Sequence, residues 1–374
     1  MPLARPLRGW YPLTVSSLYT SPNTFAPYAP LSQGIPASVP PNPGQSFLPL
    51  PLNAQVRYIS GNEIQRGYTQ SWNFVVEHQF PWQMLVSLAY VGTQTVHQLA
   101  DLDINAGVPG GGTAGQPLFA AFGRSAITWA WNGYLSANYH ALQLSFNRRL
   151  AAGLTLKGAY TFSKAINSTD DDGWAQVNFN YLPDLKRNRA LAGYDIPQNL
   201  QIAAMYDLPF GPGKRYFTSG VPRWILGDWQ FNTLFSARSG QPFTVTASGA
   251  ALNAPDNTQT ADQVKTNVQL LGGVGPGQHY YDPTAFAPVN QPRFGTSGRN
   301  ILFSPHWINM DLSLFRTFPI RERLQLEFRA EAFNFTNTPH FDAPNANVNS
   351  SSFMTITAAE QDQRSLRFGL RLVW

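Results

Sequence analysis

A few groups of side chains in this sequence could carry chemistry if the fold brought them into register. Glu327, Arg329 and Glu331 alternate in sign at every second position. Two carboxylates at a set separation, with pKa values pushed apart, are what general acid–base catalysis needs. On one face of a strand the same residues make an ion ladder stabilised by neighbouring opposite charges, and the ladder is the expectation. Asp170, Asp171, Asp172 and Gly173 offer the hard oxygen ligands that calcium takes, but the EF-hand spacing and its closing Glu are missing, so the run reads as an acidic loop. The histidines, His78, His97, His140, His279, His306 and His340, include no i,i+4 pair and no His-Glu-x-x-His pattern. With no cysteine there is no thiolate site and no disulfide framework. The glycine-rich stretches Gly107–Gly115 and Gly211–Lys214 lack Walker spacing and read as turns or loops. No catalytic, metal or cofactor residue is assigned, and the chain is expected not to be an enzyme.

What holds these residues is constrained by composition. Charged residues make up 13% and apolar residues 43%, so Asn, Gln, Ser and Thr carry much of the polarity. Aromatics reach 13%, and Gly and Pro number 30 each, which favours many turns over long helices. This balance suits strands with one face in lipid and one in water. No stretch approaches the roughly 18 consecutive apolar residues of a membrane-spanning helix, so a membrane crossing would use strands. The net charge is +5 with the basic residues spread along the chain, which reads as solvated positions and not as a nucleic-acid footprint. Met1 to Pro30 contains no basic segment followed by an apolar one, so a start further upstream, or a piece of a longer protein, is expected.

Apolar/polar alternation with period two recurs in about nine segments. Tyr68, Trp72, Phe74, Val76 and Phe80 share a face in the first, and Trp82, Met84, Val86, Leu88 and Tyr90 in the second. Leu142, Leu144 and Phe146 mark the third; Leu154, Leu156, Tyr160 and Phe162 the fourth; Leu200, Ile202, Ala204, Tyr206 and Leu208 the fifth; Trp229, Phe231, Phe235 and Ala237 the sixth. Ile308, Met310, Leu312 and Leu314 carry the seventh, and Leu324, Leu326, Phe328, Ala330 and Ala332 the eighth. In the last, Leu366, Phe368, Leu370, Leu372 and Trp374 oppose Ser365, Arg367, Gly369 and Arg371. Short links near Pro81, 151–153 and 319–322, and a moderate one over 210–225, alternate with long ones over 93–137, 166–197, 239–304 and 337–362. Outer-membrane barrels have short periplasmic turns and long extracellular loops, which puts Trp374 on the periplasmic side. Glu327, Arg329, Glu331, Arg367 and Arg371 are then expected in the lumen. Trp72, Trp82, Tyr90, Tyr160, Tyr206 and Trp229 are expected as interface aromatics. Residues 1–65 are Pro-rich and read mainly as loop, with 54–60 the one short strand candidate.

Thr69–Leu99, Asn147–Asn167, Tyr206–Arg215, Gly227–Val245, Asp282–Leu302 and Ile308–Phe341 resemble, in order, successive barrel hairpins of Oar-like TonB-dependent receptors, a type abundant in Acidobacteria and often carrying a carboxypeptidase-regulatory-like N-terminal domain. The resemblance covers roughly residues 66 to 374. It implies an all-β fold: an antiparallel transmembrane β-barrel, present in part, with about 9–12 of a family barrel's roughly 22 strands. The family's plug and TonB-contacting box have no counterpart here, so barrel wall and outer loops are expected without a plug. It further implies outer-membrane lipid and lipopolysaccharide around the wall, the barrel-assembly machinery reading the last strand (Leu366, Phe368, Leu370, Leu372 and Trp374, where Phe is commoner at the end), and TonB acting only through an N-terminal region. The implied function is uptake of a bulky nutrient across the outer membrane of a Gram-negative cell. The alternatives are a non-transporting remnant or structural barrel protein, and a soluble secreted all-β carbohydrate-binding protein. A propeller's repeat of roughly 40 to 50 residues is not seen.

Overall fold

A computed structural model describes residues 30–34, 52, 54–59, 64–151, 153–170, 177–321, 324–360 and 362–374; Asp171, Asp172 and Gly173 of the acidic run lie outside them. The principal elements are strands β1 (Val56–Ile59), β2 (Tyr68–Phe80), β3 (Met84–Asp103), β4 (Thr128–Ala151), β5 (Leu154–Asn167), β6 (Gln198–Asp207), β7 (Trp229–Arg238), β8 (Trp307–Arg321), β9 (Leu324–Phe333) and β10 (Ser365–Val373), with short helices α1 (Pro117–Phe122) and α2 (Gly220–Leu226). Strands β2 to β10 form one antiparallel path in chain order. Each of the nine alternating segments of the sequence is therefore a strand, and each pairs with the next. Pairing of sequential neighbours is what short hairpin turns dictate.

The sheet is an open barrel wall. Among the described residues, β2 and β10 are each paired on one side only. A row of directly paired residues starts at Phe80, where β2 ends, and passes through Met84, Arg148, Leu156, Ala204, Thr233, Leu312 and Ala332 to Leu366, near the start of β10. It climbs from the short-turn end to the long-loop end, which is the stagger that strand tilt produces in a barrel.

The first long connection is shorter than the alternation suggests. β3 has 20 residues and β4 has 24, against about 9–11 for a membrane-crossing strand. The connection is 104–127, not 93–137. Above the apolar zone both faces turn polar and the period-two signal fades, but the ladder needs only backbone groups and runs on to Asp103–Trp129. There the candidate strand of the Pro-rich region, β1, adds in parallel to β4, with Val56 opposite Thr128.

Among the described residues, three buried apolar clusters gather at the long-loop end. One joins Val245, Tyr281 and Phe286 to Phe353 and Met354; a second joins Leu102 and Leu135 to Val177; a third packs Phe179 with Leu252 and Phe294. Hydrophobic burial thus makes the long connections a packed cap and leaves the strands' apolar face open.

Candidate functional site

Directly opposed residues on antiparallel neighbours share a face, so the registers sort the whole wall. One face collects Phe74, Val76, Leu88, Leu144, Ile202, Phe231, Leu314, Leu326 and Phe368. The other collects Asn73, Ser87, Gln143, Thr161, Gln201, Asn232, Ser313, Glu327 and Arg371. A one-residue slip in any strand would exchange the two sets, so the consistency across nine strands fixes the register. The recesses of the sheet open on the polar face. One, of about 380 Å³, is lined by Ala203, Met205, Asn232, Leu234, Asp311 and Phe315; others lie beside Lys157 and Gln201, beside Glu327 and Arg329 and beside Tyr139 and Asp195. The polar face is therefore the concave one, and the apolar face the convex one.

The acidic and basic residues of the last two strands come together on the concave face. Glu327 lies 3.5 Å from Arg329 and 3.9 Å from Arg371, and Glu331 lies 4.0 Å from Arg367. The arginines are largely solvated, so these pairs are worth at most about 1 kcal/mol each. They partly offset one another's charge along this face of the wall. Leu366, Phe368, Leu370 and Leu372 face away, opposite Ala332, Ala330, Phe328 and Leu326, and Trp374 follows the strand as an exposed residue.

Among the aromatics, Trp72, Tyr90, Tyr160, Tyr206 and Trp229 all stand on the convex face. Trp82 sits in the β2–β3 turn with a left-handed backbone, φ 62°. Trp72 and Tyr90 converge on His140, Tyr90 through a 2.9 Å hydrogen bond between its hydroxyl and Nδ1. Tyr206 and Trp229 lie at the short-turn end, whereas Tyr160 is mid-strand between Leu144 and Leu200.

The cap is bolted by buried and half-buried polar side chains that no motif in the sequence marks. Arg299 donates to the Asn167 carbonyl at 2.9 Å and to Asp170 Oδ2 at 3.1 Å. Arg187 donates to the Ser297 carbonyl at 3.2 Å and stacks over Phe179 and Phe294. Asp103, fully buried at the top of β3, accepts the amides of Asn105 (2.9 Å) and Thr128 (3.0 Å) on Oδ1. Its Oδ2 has no donor and meets the carboxyl of Asp256 from the third long connection. Burial, opposed by the two amides and reinforced by Asp256, pushes the Asp103 carboxyl up to about 7; burial raises Asp256 as well. A proton held on Asp103 relieves the repulsion between the two acids. Arg299 and Asn167, Arg187 and Ser297, and Asp103 and Asp256 lie more than a hundred residues apart in the chain, and no local spacing marks them.

His340, Glu360 and Asp362 form the cluster with metal-ligand geometry among the described residues. His340 Nε2 donates to the Ile308 carbonyl at 2.7 Å and Nδ1 engages Asp362, while the ring stacks on Trp307, centroids 4.4 Å apart. Both ring nitrogens are thus already engaged by protein partners. The cluster fastens the last connection to β8.

Arg316 stands on the convex face among Trp229, Leu314 and Phe328. The parity of its position in β8 could have revealed it, since it is a charge in register with Leu312 and Leu314.

Compared with known families, residues 3–367 match the model described as an outer membrane beta barrel domain. No curated protein matches. Among solved structures the chain is similar to the outer membrane transporter YddB from Escherichia coli (8% identity, TM-score 0.44, 83% of this chain and 33% of that one). It is also similar to BauA, the ferric preacinetobactin receptor from Acinetobacter baumannii (10%, 0.41, 81% and 29%), and to the ferripyoverdine receptor of Pseudomonas aeruginosa (12%, 0.39, 81% and 26%). The chain spans about a third or less of the length of these structures.

Proposed function

The chain belongs to the outer membrane beta barrel domain family, and from that premise we propose that it supplies wall strands and outer loops of a TonB-dependent receptor of the Oar-like type, taking up a bulky nutrient. The protein resides in the outer membrane. Its convex apolar face meets lipid and lipopolysaccharide, and its concave face lines an aqueous lumen that holds Glu327, Arg329, Glu331, Arg367 and Arg371. The wall unit is residues 66–374, with 1–65 accessory to it. The barrel-assembly machinery reads the strand ending in Trp374, and TonB acts through a plug supplied from outside the described residues. Trp72, Trp82, Tyr90, Tyr206 and Trp229 serve the membrane interface, whereas Tyr160, mid-strand, faces the acyl chains. The reading assigns no catalytic chemistry.

The observation that carries it is the pairing of a concave wall, the more polar of the two faces, with a packed cap above it. A lumen lined by amides, hydroxyls and compensated charges lets a large polar solute pass without strong retention. Cap loops with their own core can hold a shaped binding surface. The type assignment rests on the sequence resemblance over residues 66–374. The two unpaired edges favour a second reading, a non-transporting remnant, because an open edge in lipid leaves backbone groups unsatisfied.

Deleting the coding segment and measuring uptake of size-graded labelled peptides, oligosaccharides and metal chelates separates the two. Transport predicts loss of one class, matched by dissipating the proton-motive force in the parent strain. Unchanged uptake of every class would leave the structural reading.

A further inference from the structure

The link between β6 and β7 is the longest connection at the short-turn end, and it is built differently from the other turns. It carries α2, whose sequence Gly-Val-Pro-Arg-Trp-Ile-Leu places Val221, Trp224, Ile225 and Leu226 within one short helix. The last carbonyls of a helix have no internal partner, and here the wall supplies them. Arg316 donates to the Trp224 and Ile225 carbonyls, the latter at 2.9 Å, and Trp229 Nε1 donates to the Ile225 carbonyl at 2.9 Å. Both donors stand on the convex face. Arg316, itself buried, also lies over the Trp229 and Phe318 rings, 5.4 and 4.3 Å from their centroids. The helix is thus fixed by its C-terminal end to the lipid side of the wall.

What it presents outward is apolar. Val221 and Trp224 are each 71% exposed and Ile225 61%, and Tyr216 and Phe217 of the same connection are exposed too. Arg223 adds a cation on the same segment, and the patch continues into the convex apolar face at Trp229 and Phe328, whose rings meet edge to face at 5.9 Å. An apolar helix with an aromatic residue and a basic flank, continuous with a lipid-facing wall, fits the boundary between headgroups and acyl chains. We propose that residues 210–228 form an interfacial anchor that lays α2 in the lipid leaflet at the short-turn end, with Val221, Trp224 and Ile225 among the upper acyl carbons and Arg223 at the phosphates. The anchor rests on the convex face meeting lipid.

The absence of native cysteine allows single-site labelling. The full chain carrying Trp224→Cys, Ile225→Cys, Phe231→Cys or Ser313→Cys is modified with an environment-sensitive nitrobenzoxadiazole and placed in phosphatidylethanolamine–phosphatidylglycerol vesicles. Lipids bearing a nitroxide near the headgroup or deep in the chain serve as quenchers. Quenching at 224 and 225 that is stronger with the shallow nitroxide, with quenching at 231 and none at 313, is expected. Quenching at 231 with none at 224 and 225 would overturn the anchor while sparing the wall. Absence of quenching at 231, 224 and 225 would overturn both.

Discussion

Replacing Asp103 with asparagine should remove a pH-dependent weakness in the cap. In the folded protein this buried carboxyl faces Asp256 and is pushed from 3.8 to about 7, chiefly by burial. An acid raised on folding contributes stability that is complete below its unfolded value and is lost as pH rises through the folded one. Between pH 5 and 8 the loss is on the order of 2–3 kcal/mol, at 1.36 kcal/mol per unit. The asparagine side chain keeps an oxygen for the Asn105 and Thr128 amides, which lie 2.9 and 3.0 Å from Oδ1, and offers Asp256 an N–H that does not titrate. Hydrogen-exchange protection factors of those two amides, corrected for intrinsic rate, report the local opening. In the native chain they should fall by roughly two decades from pH 5 to pH 8, following the same free energy. In Asp103→Asn they should stay level or rise slightly. Level protection in the native chain, or an equal fall in the variant, would refute the raised Asp103 carboxyl as its cause.

Leu370→Arg on the convex face should cost about 2–4 kcal/mol in unfolding from lipid, whereas Arg371→Leu on the concave face should change stability by no more than about 1 kcal/mol; similar costs would contradict the assignment of faces. Arg299→Ala strips partners from the buried Asn167 carbonyl and should loosen the cap by about 1–3 kcal/mol, seen as faster exchange in residues 166–170 with the wall unchanged. Arg316→Gln should free the end of α2 at a similar cost of about 1–3 kcal/mol, read as exchange at Gly227, whose amide caps the helix at 2.9 Å. On intact cells a membrane-impermeant maleimide should label Asn267→Cys and Ser351→Cys and spare Trp82→Cys; labelling of Trp82→Cys first would invert the topology.

The wall was legible in the sequence because period two is a local signal and the two faces meet different media. The run from Leu366 to Trp374 carries its facing in every residue. Legibility failed where the medium stopped differing. At Gln94 to Asp103 both faces leave the apolar zone, so β3 outran its pattern. The bolts of the cap escaped for another reason. Arg187 reaches Ser297, and Arg299 reaches Asn167, contacts set by how long connections fold over one another. Arg316 was readable by parity alone, but its purpose was not, because the carbonyls it caps belong to a helix remote in sequence.

The central claim is that one face of this wall meets lipid and the other water. Nitroxide labels stepped singly through residues 308–316 of β8, an interior strand, test it most directly by their collision rates with oxygen and with a water-soluble nickel chelate in reconstituted membranes. The account predicts a period of two, with oxygen favoured at Met310, Leu312 and Leu314 and the chelate favoured at Asn309, Asp311 and Ser313. Equal access along the strand, or the opposite phase, would contradict it.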